Sequence, residues 1–268
     1  MRFVPALADL VLPSACAGCD AERLPLRYGV CARCVTHLET MTPFPAVPVP
    51  PPPGMPPCVA AGVYGGALRG VLLAYKEKGR HRLAGPLGAL LAGAVTHVAD
   101  RSRPLLVVPV PSTARAARER HGDHMARLTA HAVRHLRAAG WHADVIQLLR
   151  ASPRPDSASL DAAGRAAVAE SSLRINAARI RVLRRRSTMR RTLVVVDDIV
   201  TTGATLAAVA GRLREADMQV TGAAVVAATR LRAGRPPYRV RAPTGAPPGP
   251  KVRGSVPRTR GDGRPSAG

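Results

Sequence analysis

Apolar residues recur along this chain in two rhythms. Short unbroken runs at Val59 to Tyr64, Leu105 to Val110, Val145 to Leu149, Leu193 to Asp197 and Thr221 to Thr229 have the length and β-branched content of strands covered on both faces. Between them apolar positions fall every three or four residues. Leu68, Val71, Leu72 and Tyr75 share one face of Ala67 to Lys76, a second apolar helix spans about Leu83 to Val98, and Ala126, Ala130, Val133 and Leu136 line Asp123 to Ala139. An Ala/Leu-rich helix is expected over Ala204 to Glu215. Strands alternating with helices predict an α/β domain built on a parallel sheet.

The ends of the chain depart from this pattern. Residues 3 to 12 read as an amphipathic helix; Pro5 and Asp9 interrupt the apolar run behind Arg2 and argue against a signal peptide. No run approaches the ~18 apolar residues of a membrane span, so a soluble, cytoplasmic protein without a membrane span is expected. Met41 to Pro57 is mostly proline and small apolar residues, which predicts a semi-rigid spacer; a partner-binding motif is the other reading. From Leu231 onward Pro, Gly and Arg dominate without apolar periodicity, which predicts a disordered basic tail. The expected organisation is a cysteine module over 1–40, a linker over 41–57, the α/β domain over 58–230 and the tail over 231–268.

Cysteine spacing adds a metal. Cys16-Ala-Gly-Cys19 and Cys31-Ala-Arg-Cys34 are two C-x-x-C knuckles that can set four thiolates around a structural Zn²⁺, with Gly18 and Gly29 suited to the tight turns. Two disulfides are the competing reading, which a reducing cytosol disfavours. Cys58 is read as a core thiol and His37 as an exposed polar residue. His124, His131 and His135 lie on one helical segment; the i, i+4 pair lacks a third metal ligand, so solvated histidines are expected.

Composition changes the picture in two respects. Aromatic residues are only 3% while hydrophobic residues reach 46%, so the core must be made of Ala, Val and Leu. The net charge of +23 is concentrated: between Glu170 and Asp197 there is no acid, but Arg174, Arg179, Arg181, Arg184, Arg185, Arg186, Arg190 and Arg191. Such charge favours polyanions, whether phosphates, nucleic acid or anionic lipid, unless it is only a solvated face.

The candidate chemistry sits in Leu193 to Leu206, LVVVDDIVTTGATL. It reads as strand, loop and helix, with the loop at the carboxyl end of the strand, where open α/β sheets bind ligands. Gly203 lets backbone approach a ligand, and the first-turn N–H groups of the helix favour an anion. Hydroxyls of Thr201, Thr202 and Thr205 can bind phosphate oxygens; Asp197 and Asp198 suit sugar hydroxyls or a hydrated Mg²⁺. Together they describe a ribose 5-phosphate. A capped helix is the bland alternative, but a cap uses one acid or hydroxyl, not two acids and three threonines. The basic segment after LLVVPV, with Ser112, Thr113, Arg115, Arg118 and Arg120, would lie at a neighbouring strand end if the strands are parallel, and would offer a second anion site. Arg150 to Arg165 is polar and rich in small residues, as a mobile flap would be.

These residues resemble the type I phosphoribosyltransferases, whose signature of apolar strand, two acids and T-T/S-G is matched by VVVDDIVTTGAT. With the zinc knuckles, the basic turn Lys76-Glu77-Lys78-Gly79-Arg80 and the PVP-plus-arginine segment, the order from about residue 7 to 230 is similar to the ComF family of competence proteins. The resemblance implies a type I phosphoribosyltransferase fold and binding of 5-phosphoribosyl-1-diphosphate with Mg²⁺. In it Asp197 and Asp198 are the catalytic acids, and Thr201, Thr202, Gly203, Ala204 and Thr205 are the phosphate loop. Lys76, Arg80, Arg115, Arg118 and Arg120 are the basic groups that face the substrate. It also implies a rival role as a non-catalytic DNA-uptake accessory that handles single-stranded DNA, against which the scarcity of aromatics counts. Two segments depart from the family: Arg120-His121-Gly122-Asp123-His124 has its glycine displaced by one place. In the flap, Ser157, Ser159 and Val168 stand where Gln, Gly and Asn are usual, with Asp156, Leu160 and Arg165 kept.

Overall fold

The apolar run that ends in the two acids folds as a central strand. In the computed structural model, which describes residues 15–119, 122–152, 172–186 and 191–229, β9 (Thr192–Val200) lies between β5 (Leu105–Pro109) and β10 (Gly222–Ala228) and is parallel to both. β4 (Cys58–Val63) extends the sheet beyond β10, and β6 (Ala143–Val145) extends it beyond β5, again in parallel. The short β3 (Phe44–Pro45) closes one edge antiparallel to β4, giving the order β3-β4-β10-β9-β5-β6. Val194, Val195 and Val196 are completely buried, each contributing on the order of 2 kcal/mol relative to an exposed side chain.

Helices cover both faces of this sheet, so two cores form. On one face α2 (Gly66–Glu77), α3 (Ala84–Thr96) and α5 (His124–Ala138) pack Leu68, Leu72, Leu91 and Leu128 against Val194 and Val196. On the other α6 (Ala177–Arg186) and α7 (Ala204–Glu215) pack Ile180, Leu206 and Val209 against Leu193 and Val195. The alternation of Leu193, Val194, Val195 and Val196 between cores follows the two-residue period of a strand. This is the α/β arrangement of a type I phosphoribosyltransferase, a parallel sheet flanked by helices, with Ala, Val and Leu filling the interior.

Three expectations are corrected. Residues 41–57 do more than act as a semi-rigid spacer: Phe44 and Pro45 pair with the sheet as β3, Ala46 is completely buried, and Met55 packs into the second core. Proline lacks a donor but is tolerated on an edge strand, which is where Pro45 sits. The cysteine segment, with β1 (Leu26–Arg27), β2 (Val30–Cys31) and α1 (Ala32–Glu39), shares the first core with α2 instead of standing apart. The run Val145 to Leu149 is not one strand: β6 stops at Val145, and the chain turns to pair β7 (Leu149–Ala151) antiparallel with β8 (Leu173–Ile175). Most of the expected flap, the amino-terminal helix and the basic tail lie outside the described residues, as does Arg120. No described helix is long and apolar enough to cross a membrane.

Candidate functional site

β9 does not end at its acids. The ladder with β10 runs on through Val225↔Asp197, Ala227↔Ile199 and Ala228↔Val200, so the two carboxylates point to opposite faces of the sheet. Asp198 faces α2 and α5. Its Oδ2 lies 2.7 Å from Lys76 Nζ and 3.2 Å from His124 Nε2, and the residue is 5% exposed. Asp197, on the Cys58 side, is half-buried and accepts a hydrogen bond at Oδ1 from the Asp198 N–H at 2.9 Å. The family resemblance put both acids on the substrate; here Asp198 is held by the protein, and Asp197 is the more accessible.

Three further groups fix the Asp198 cluster. The Tyr75 hydroxyl donates to the His124 carbonyl at 2.6 Å, and burial pushes the Tyr75 phenol up to about 12, so it stays a donor. Ser112, just past the end of β5, lies 3.5 Å from His124 Nδ1. Asp123, the cap that accepts from Ala126 N–H, sets where α5 begins and so where His124 sits. Burial alone would raise the Asp198 carboxyl, but the His124 hydrogen bond and the Lys76 charge outweigh it and hold the group well below the usual carboxylate range, near 2. A depressed native pKa stabilises the fold above the unfolded value and is lost as pH falls through the native one. Asp198→Asn should therefore flatten the acid limb of the stability profile between about pH 4 and pH 2, an effect of roughly 2 kcal/mol, measurable by urea unfolding.

The loop after β9 has the expected form. Thr201 and Thr202 are exposed, Thr202 Oγ1 accepts from Ala204 N–H at 3.4 Å, and α7 starts at Ala204 with Thr205 half-buried in its first turn. Gly203 has φ +76°, and a Cβ there would lie 2.4 Å from Met55 Sδ and 3.2 Å from Pro48 Cγ, so both backbone and packing require glycine. The parallel β5–β9 pairing brings the second basic segment alongside: Val110 N–H donates to the Val196 carbonyl at 2.9 Å, and α4 (Ala114–Glu119) carries exposed Arg115 and Arg118 at this end of the sheet. Arg80 goes elsewhere. Its guanidinium donates to the carbonyls of Ala15 at 2.8 Å and Gly29 at 3.0 Å in the cysteine segment.

Residues 157–244 match the phosphoribosyl transferase domain. No curated protein matches the chain. The matched stretch contains β9, the threonine loop, α7 and β10, so the family match falls on the strand, loop and helix described above. Such a domain suggests a sugar phosphate as its substrate. His124 lies outside the match; in the sequence it is one of three histidines interspersed on the helix with no role of its own, and Asp123, the cap just before it, is the available signal. His131 is half-buried and His135 exposed, its Nε2 3.2 Å from the Gly85 carbonyl.

The cysteines form a second candidate site. The Sγ atoms of Cys16, Cys19, Cys31 and Cys34 lie within 4.8 Å of one another, the only such group among the described residues. A zinc tetrahedron with Zn–S of about 2.3 Å places sulfurs roughly 3.8 Å apart; Cys19 and Cys31 are 3.8 Å apart. Burial opposes a thiolate at Cys16, but N–H groups of Cys31 (3.2 Å) and Gly18 (3.4 Å) donate to its sulfur and bring it down to about 6. Burial and the neighbouring sulfurs push Cys34 far up. Four thiolates cannot crowd together without a cation, so the donor set fits zinc, with all four positions filled by protein as in a structural site. Cys58 is apart, buried, and pushed up to about 12 by burial and by the charge of Asp197. His37 is exposed.

Proposed function

We propose that the chain binds 5-phosphoribosyl-1-diphosphate, or a ribose 5-phosphate, and transfers the phosphoribosyl group in the manner of a ComF-like protein. The observation that carries this reading is the Thr201–Thr205 turn, opened by a left-handed glycine at the carboxyl end of a central parallel strand beside a second basic strand end. In this reading the 5-phosphate lies on the N–H groups and hydroxyls of Thr201 to Thr205. The ribose hydroxyls meet Asp197, and Arg115 and Arg118 face the diphosphate. Asp197 would also hold Mg²⁺, which when bound neutralises charge between ribose and diphosphate. As the diphosphate departs the sugar gains oxocarbenium character, which a fixed carboxylate stabilises. Asp198, pinned by Lys76 and His124, then acts through the backbone by holding the strand end that aims Asp197.

Ribose 5-phosphate at a hundred times its Kd should stabilise the protein by about 2.7 kcal/mol. Asp197→Asn should remove most of that, because an amide forms no charge-assisted bonds to ribose hydroxyls. Thermal unfolding with and without Mg²⁺ reads the effect, and a wild-type Tm that ignores the ligand in both conditions sinks the reading.

The exposed guanidinium groups of Arg174, Arg179, Arg181 and Arg185 on β8 and α6 favour a second reading, in which the protein also binds single-stranded DNA as a competence accessory. Replacing Arg179, Arg181 and Arg185 with alanine should lower the slope of log affinity against log salt by roughly 2. An unchanged slope in fluorescence anisotropy would remove this surface from consideration.

A further inference from the structure

We propose that the four-cysteine metal module controls the geometry of the Asp198 cluster through α2, with Arg80 as the positioning residue that joins the two. The argument rests on one helix touching both places. At its amino-terminal half α2 lies directly on the module: a Cβ on Gly70 would lie 2.6 Å from the Ala17 carbonyl and 2.7 Å from that of Gly18, so only glycine permits this approach. Gly18 in turn is pressed between the Cys34 sulfur and Ala67, at 2.9 and 3.3 Å from its own would-be Cβ. Just beyond the carboxyl end of α2, Arg80 reaches back to bind the carbonyls of Ala15 and Gly29, which flank Cys16 and the second knuckle. The module therefore grips α2 at two points. Between them α2 presents Tyr75 to His124 and Lys76 to Asp198.

A short knuckle segment has no core of its own, so its shape depends on metal. Without metal the Ala15 and Gly29 carbonyls lose their fixed spacing, Arg80 loses both acceptors, and the last turn of α2 is free to shift. Lys76 and Tyr75 lie in that turn, four and five residues before Arg80. Arg80 was expected to face the substrate; its hydrogen bonds instead assign it to this strut. The effect on ligand binding rests on the sugar-phosphate reading above, whereas the effect on the Asp198 cluster does not.

The test uses the full chain, as wild type and as Arg80→Met, with zinc bound or removed by chelation. Two-dimensional NMR of the His124 ring reports the cluster without any ligand, and a titration with ribose 5-phosphate reports the binding site. In wild type, zinc removal should shift the His124 ring signals and weaken ribose 5-phosphate binding at least tenfold. Arg80→Met with zinc bound should already show the shifted signals, and its affinity should change less than threefold on zinc removal. If wild type unfolds altogether without zinc, the zinc-loaded Arg80→Met protein decides alone. His124 signals that stay put in zinc-loaded Arg80→Met, or in folded zinc-free wild type, overturn the proposal. Shifted signals in a protein that does not bind ribose 5-phosphate uphold the coupling and reject the sugar-phosphate reading.

Discussion

Removing zinc is expected to unfold residues 15–40 while leaving the main sheet in place. Zinc bound by four thiolates contributes on the order of 10 kcal/mol to a fold of this size, far more than the segment's other contacts. Those contacts are few: Val30 and Leu38 are its main buried aliphatic side chains, and its only strands are the two-residue β1 and β2. The sheet, by contrast, has cores on both faces, of which only one borders the module. Protein purified under reducing conditions should carry one equivalent of zinc. Chelation should abolish amide protection in 15–40 but preserve it in β5, β9 and β10. Less than half an equivalent of metal, or full protection of the knuckles after chelation, contradicts the expectation.

How legible this molecule was in its sequence differed from element to element, for physical reasons. α7 occupies Ala204–Glu215, the residues expected, because a left-handed glycine fixes its start and apolar spacing carries it. β9 was recognised, but its end was placed at Asp197, since charged residues usually mark where a strand leaves the core. Here the buried acid is paired with Lys76 and hydrogen-bonded to His124, which lets the ladder continue to Val200. That compensation comes from helices 74 and 122 positions away in the chain, and no local pattern contains it. The same holds for Arg80, whose acceptors are backbone carbonyls and leave no trace in side-chain identity. The proline segment misled for the opposite reason: its composition describes an isolated chain, whereas Phe44 and Met55 had a hydrophobic surface to join. The clustering of the four cysteines was legible because it resides in four side chains at fixed local spacing.

Lys76→Met should destabilise the fold by about 3–5 kcal/mol, the typical cost of removing one partner of a buried ion pair. Lys76 keeps a quarter of its side chain exposed, but Asp198 does not, and the loss falls on the member left behind. Methionine preserves most of the aliphatic stem, so the change reports charge and not packing. Asp198 would retain only His124, and its carboxylate would face the desolvation that Lys76 now offsets. The partner substitution isolates this cause: in Asp198→Asn, which has no buried charge to strand, Lys76→Met should cost less than about 1 kcal/mol, so the double-mutant cycle should show a coupling of at least 2 kcal/mol. Urea midpoints of the four proteins at pH 7 measure it. Equal losses in the two backgrounds would mean that Lys76 acts by packing alone, and would return Asp198 to the substrate as a second sugar ligand beside Asp197.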